Sequence, residues 1–112
     1  MVGVAIAGAA AAALLVIARS PGPHLTLTAT DDGYRPSRVT VKPGTTVTFV
    51  NQGARDRWPA SNIHPTHEIY PEFDPRRPIP PGGSWSFAFQ QRGLWHFHDH
   101  LDPHLGGSIT VE

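Results

Sequence analysis

From His24 onward the chain alternates with period two, and this pattern restricts it to extended structure more firmly than any other feature. Leu25, Leu27 and Ala29 alternate with Thr26, Thr28 and Thr30, giving a strand with one apolar and one polar face. Val39 and Val41 alternate with Thr40 and Lys42, Pro43-Gly44 turns the chain, and Val47-Thr48-Phe49-Val50 follows. Ser84 to Phe89, Leu94 to His98 and Ser108 to Val111 read as further strands, the first two preceded by the Gly-containing turns Pro80-Pro81-Gly82-Gly83 and Arg92-Gly93. With 12 Pro and 11 Gly among 112 residues, about a fifth of the chain resists a helix interior, which excludes a helical bundle. Short strands separated by regular turn signals predict an all-β sandwich of one domain, with no internal repeat. Between Asn51 and Pro81 the alternation fails. That stretch is dense in Pro, Asp, Arg and Asn and predicts a long functional loop, crossed by one short strand near His67-Glu68-Ile69-Tyr70.

Charge and cysteine content remove several classes of function. Nine Lys plus Arg balance nine Asp plus Glu, so the basic footprint of a nucleic-acid binder is missing. The absence of Cys excludes disulfides, thiolate catalysis and iron–sulfur clusters. Histidine is the anomaly: of seven, six (His64, His67, His96, His98, His100 and His104) fall in two short segments. Clustered imidazoles in a thiol-free chain point to metal or proton chemistry.

Residues Val2 to Ala18 are an unbroken run of apolar or small side chains, followed by Arg19 and Pro21-Gly22-Pro23. Val16-Ile17-Ala18 has the small residues of a signal-peptidase site, although a basic leading segment is missing. The run also lies at the lower limit for a membrane span. The expected organisation is a signal peptide or membrane anchor over 1–18, a linker over 19–23 and one domain over 24–112. Either reading puts the domain outside the cytoplasm, secreted, periplasmic or tethered to the outer membrane face.

Three stretches carry a resemblance to a known family. They are Gly33-Tyr34-Arg35-Pro36 with Val39 to Asn51, Ile79 to Ser84 before an aromatic strand, and Gly93-Leu94-Trp95-His96-Phe97-His98-Asp99-His100 closing into Gly107 to Val111. Over about residues 24–112 the chain resembles the cupredoxins. The resemblance implies a Greek-key β-sandwich holding one copper at one end, between a His of the middle loop and a Cys, a His and often a Met near the last strand. Here Asp99 stands at the cysteine position. His98-Asp99-His100-Leu101-Asp102-Pro103-His104 also resembles the multicopper-oxidase pattern His-Cys-His-x-x-x-His, and His64-Pro65-Thr66-His67 the start of that family's His-Pro-x-His-x-His. That carry-over matches His64, Asp99 and His104 to mononuclear copper ligands, with Leu105 near the axial position, and His67, His98 and His100 to ligands of a trinuclear cluster. Ile69 stands where the oxidases have a third His, and their cluster is shared between two domains, so a whole oxidase site in one monomer is not implied. Resemblance to the small cupredoxins places His67 at the middle-loop ligand instead, leaving His64 and His67 as alternatives.

Strand alternation puts Trp95, Phe97 and Asp99 on one face and His96, His98 and His100 on the other. His98 and His100 therefore reach one ion, joined by His67 or His64 from across the sandwich. Imidazoles with a carboxylate suit Cu(II) or Zn(II), and the affinity order puts copper first, with zinc and iron behind it. His24 and His96 read as strand-surface residues. Asp99 has two further readings, a turn cap or a group orienting a His. The Trp and Phe residues read as core or as the hydrophobic shell near the site, Arg55, Asp56, Arg57, Arg76 and Arg77 as solvated loop charge with partner docking as the alternative, and Glu68 and Asp74 as solvated loop acids with a place in a metal site as the alternative.

The function expected is copper binding through His67, His98 and His100, with Asp99 and either His64 or His104 completing the shell, in the service of copper storage, delivery or resistance. Partners would be the metal ion and a copper-transfer or redox protein. Replacing a thiolate by a carboxylate removes the donor that stabilises Cu(I), so rapid electron transfer ranks lower and an enzyme is not the leading reading. The alternatives are an oligomeric copper oxidase or reductase built from half-sites, an electron-transfer cupredoxin, and a metal-free interaction module.

Overall fold

Eight strands form, in chain order, β1 (His24–Thr30), β2 (Gly33–Arg35), β3 (Arg38–Val41), β4 (Thr45–Asn51), β5 (Pro59–Ser61), β6 (Ser84–Phe89), β7 (Gly93–Asp99) and β8 (Asp102–Val111). The structure, a computed structural model, describes residues 22–64 and 67–112. The signal or anchor expected over 1–18 lies outside the described residues. One sheet has the order β2-β1-β4-β6 and the other β3-β8-β7-β5. Strand β1 runs parallel to β4 (Leu27 opposite Phe49) and β3 parallel to β8 (Val39 opposite Ile109). Hairpin turns cannot make those parallel pairings, so the chain crosses between the layers, giving the Greek-key sandwich expected.

The alternation seen in the sequence becomes the burial pattern. In β4 every second side chain is covered, with Val47 and Phe49, beside Leu27 of the same sheet, facing Phe97 and Ile109 across the core. Two boundaries differ from expectation. The strand expected near His67 to Tyr70 is a pair of turns, and the short strand of this region is β5, where Ala60 pairs with His98. All three β5 residues are buried, so they show no alternation by which a strand is recognised. Strand β8 starts at Asp102, ahead of Ser108, and it passes close to β7 because of its glycines. A Cβ on Gly106 would collide with the Phe97 carbonyl and crowd the His98 Cα.

The described residues between β5 and β6 form no named strand, yet the segment is fastened to the core. Phe73 is fully buried and lies among Phe49, Trp85, Phe87, Phe89 and Phe97, with ring centroids 4.9–6.1 Å away. Tyr70 packs edge-on against Phe87 and Trp95. The Ser61 N–H donates to the Phe73 carbonyl, and the Phe73 N–H to that of Tyr70. Aromatic burial thus fixes the loop that carries His64 and His67. Phe73→Ala should cost about 3–5 kcal/mol of folding free energy, measured by urea unfolding followed through tryptophan fluorescence. A loss below 1 kcal/mol would mean that the loop folds independently of the sandwich.

Candidate metal centre

The two histidine segments meet at one end of the sandwich. His98 lies near the end of β7, His100 follows in the turn to β8, and His64 and His67 come from the loop after β5. One ring nitrogen from each lies within 4.8 Å of the others. His67 and His98 are buried, His100 is partly covered and His64 is exposed. Both middle-loop alternatives, His64 and His67, therefore stand in the same cluster. His67 has φ 55°, a left-handed backbone that costs a non-glycine residue energy and is held by its surroundings.

The hydrogen bonds form two chains that end on fixed oxygens. His64 Nδ1 lies 3.1 Å from His98 Nε2, and His98 Nδ1 lies 2.9 Å from Asn62 Oδ1. His100 Nδ1 lies 3.2 Å from His67 Nε2, and His67 Nδ1 lies 2.8 Å from Asp74 Oδ2. Both oxygens can only accept, so His98 and His67 donate Nδ1–H outward and turn the Nε2 lone pair into the cluster. His64 and His100 donate to those lone pairs in the metal-free protein. Outward donation to a carboxylate or amide oxygen is how metal-binding imidazoles are commonly oriented. Four nitrogens about 2.0 Å from one ion stand roughly 3.3 Å apart when tetrahedral and about 4 Å apart across a square plane. The observed spacing fits a cation with small adjustments.

Asp74, ranked first as a solvated loop acid, instead stands at the site through its hydrogen bond with His67. Burial pushes its pKa up, but hydrogen bonds from His67, the Arg76 N–H and the Trp58 indole outweigh this and lower it. Trp58 donates Nε1–H to Asp74 Oδ1 at 2.8 Å while its ring lies 4.6 Å from that of His100. The usable signal was the position of an Asp seven residues beyond His67 in a loop that must return to the core.

The structure places neither Asp99 nor His104 in the four-nitrogen set. Strand alternation sends Phe97 and Asp99 inward and leaves His96 exposed, but His98 is buried by the loop folded over it. The Asp99 side chain is fully buried and both its oxygens are occupied. Oδ2 accepts from Tyr34 Oη (2.6 Å) and the Trp58 N–H (3.1 Å), and Oδ1 from the Leu101 and Asp102 N–H groups (2.8 and 3.2 Å). Burial first, and then the Asp99 charge, drives the Tyr34 pKa well above that of a free phenol. Arg57, expected as solvated charge, is only 2% exposed. Its Nε stands 3.9 Å from Asp99 Oδ2, and its guanidinium donates to the carbonyls of Thr30 and Asp31. His104 is exposed on β8.

The fold and site together define a Greek-key β-sandwich carrying a four-histidine cluster on its loops. Solved structures with the same architecture are cupredoxins. A purple cupredoxin from Nitrosopumilus maritimus is similar over 79% of this chain and 99% of its own, with TM-score 0.69 and 20% identity. The reduced Cu(I) form of a proline-to-glycine amicyanin mutant is similar over 85% of this chain and 88% of its own, with TM-score 0.69 and 20% identity. A reduced tryptophan-to-tyrosine amicyanin mutant gives TM-score 0.70 at 20% identity, over 85% and 88% of the two chains. The chain has the cupredoxin fold. No family model matches the sequence, and no curated protein does.

Two predictions follow from the buried groups. Asp99→Ala removes one partner of a buried ionic and hydrogen-bonded group and should cost about 3–5 kcal/mol, read from urea unfolding of the metal-free protein. The second concerns pH. Burial, then the charges of His67 and His64, hold the His98 pKa down to about 4, and burial lowers that of His100. An unfolded His98 takes its proton near pH 6.5, so between about 6.5 and 4 the unfolded chain binds more protons. Stability of the metal-free protein should therefore fall as pH drops through that window and be fully present above it. His98→Gln should flatten the slope in thermal unfolding, and an unchanged slope would exclude His98 as its source.

Proposed function

We propose that the protein is a copper-binding protein of cupredoxin fold that holds one Cu(II) through His64, His67, His98 and His100. The observation that carries this reading is the convergence of four imidazole nitrogens within 4.8 Å. The inward lone pairs of His67 and His98 are set by Asp74 and Asn62. Copper stands ahead of zinc because the affinity of nitrogen sites rises to a maximum at Cu(II). Iron stands behind both. Bound copper would supply Lewis acidity and access to a one-electron couple. The residues favour neutral imidazoles, since burial and then the charges of neighbouring histidines lower the pKa values of His98 and His100 and metal binding requires the neutral ring.

The donor set favours copper handling, meaning storage, delivery or resistance, over rapid electron transfer. All four donors are imidazoles and none is a thiolate, so the soft ligand that suits Cu(I) is absent. All four come from one chain, which supports a site that needs no second subunit and weighs against a half-site enzyme. The domain spans 24–112, and the apolar run Val2 to Ala18 supports export, with cleavage near Arg19 or retention as a tether. A copper-donating or copper-accepting protein outside the cytoplasm is the partner this role requires.

Titration of metal-free protein with Cu(II) and with Zn(II) against a competing chelator tests the reading. One Cu(II) per chain should bind more tightly than Zn(II), with a pale visible spectrum and nitrogen hyperfine structure in the electron paramagnetic resonance spectrum. His98→Ala combined with His100→Ala should abolish this binding. Unchanged Cu(II) affinity in that double variant would overturn the assignment.

A further inference from the structure

The four histidines are not held alike. His67 is buried and tied through Nδ1 to Asp74, which Trp58 and the Arg76 N–H fix from the other side. His98 is buried and tied through Nδ1 to Asn62. The His100 N–H donates to the Trp58 carbonyl at 2.7 Å, and its ring lies against the Trp58 indole. His64 is exposed, and among the described residues its ring nitrogens make a hydrogen bond only to His98, a fellow member of the cluster. Ile63 beside it is 54% exposed, so the side chains at this point of the loop face solvent.

We infer that His67, His98 and His100 form a fixed three-imidazole base and that His64 is an exchangeable arm, whose coordination position is open to an imidazole donor from outside the chain. This rests on the copper-binding reading and adds the route of ligand exchange. Three protein ligands with one exchangeable position are the usual arrangement where a metal site must admit another molecule. Exchange here is a substitution of like for like. An outside imidazole contributes its nitrogen lone pair as His64 withdraws its own, the donor count is unchanged, and no electron is transferred. Exposure matters because an arm that swings into water loses little packing, whereas His67 or His98 would have to leave a buried position and give up its hydrogen bond to a partly buried acceptor, Asp74 or Asn62. The one apparent competitor, the exposed His104, lies outside the four-nitrogen set.

The test compares His64→Ala with His67→Ala in the full chain, using Cu(II) under chelator competition and free imidazole as the outside donor. His64→Ala should keep one Cu(II) with affinity lowered by about tenfold or less, whereas His67→Ala should lose well over a hundredfold. Millimolar imidazole should return the electron paramagnetic resonance spectrum of copper-loaded His64→Ala to that of the wild type. Because His67→Ala can disturb folding, Asp74→Asn provides a second comparison that leaves the ring in place. Its loss of affinity should exceed that of His64→Ala. A loss in His64→Ala as large as in both other variants, or a spectrum indifferent to imidazole, would overturn the exchangeable arm. If the wild type binds Cu(II) normally in the same titration, the copper reading survives that result. Failure of the wild type to bind Cu(II) would remove both.

Discussion

A buried carboxylate at the end of β7 is the interaction on which the rest of the site depends. Asp99 has no exposed surface, and such a group is tolerated in a protein interior only when its lone pairs are occupied. Here they accept from the Tyr34 hydroxyl of β2, the Trp58 N–H before β5 and the two N–H groups that open β8, with the Arg57 guanidinium alongside. These bonds join strands from both sheets to the β7–β8 turn. His98 and His100 flank Asp99 in sequence, so fixing its backbone fixes where both imidazoles start. The bulge between His98 and Asp99 breaks strict alternation at this point, and the turn that follows carries His100 toward the loop histidines. The same carboxylate thus secures Trp58, whose indole then supports His100 and Asp74.

The second element of the site is a loop made rigid by aromatic anchoring. A segment of this length would be mobile if it only spanned the surface. Phe73 and Tyr70 enter the core from it, and Asp74 follows directly after Phe73, so the carboxylate that orients His67 is placed by the burial of its neighbour. On the other side of the loop, the N–H of Ile69 donates to the carbonyl of Asn62, the residue whose side chain orients His98. The two orienting groups therefore belong to one folded unit, and a change that unseats Phe73 loosens both chains of hydrogen bonds.

These features explain what could be read from the sequence. Period-two alternation at Leu25 to Thr30 and Val47 to Val50 exposes its own sheet faces, so the sandwich was legible without coordinates. The resemblance in the β7 to β8 segment located the end that carries the histidine cluster. What remained hidden were groups whose role comes from contacts distant in sequence. Arg57 reads as loop charge until Thr30 and Asp31 present their carbonyls to it. Asp74 reads as a solvated acid until Trp58 and His67 converge on it. Alternation also carried His98 to a solvent face, but the loop that buries it has no periodic signal of its own. The choice between His64 and His67 had no answer at that level because both rings enter one cluster.

The aspartate at the cysteine position changes the chemistry in two ways, and only one was legible in the sequence. Loss of the thiolate removes the donor that would suit Cu(I). The replacement does not simply substitute a hard oxygen ligand, because the Asp99 oxygens face Tyr34, Trp58 and the turn amides instead of the histidine nitrogens. On the copper-binding reading, Asp99 serves the architecture and a second loop histidine stands among the proposed donors. On the same reading, four neutral imidazoles would bring no ligand charge to offset Cu(II), so affinity would rest on how well the rings are pre-oriented. That places the energetic burden on Asp74, Asn62 and Trp58. It would also make the exposed His64 the least costly of the four to release, which is the property the proposed copper-handling role requires.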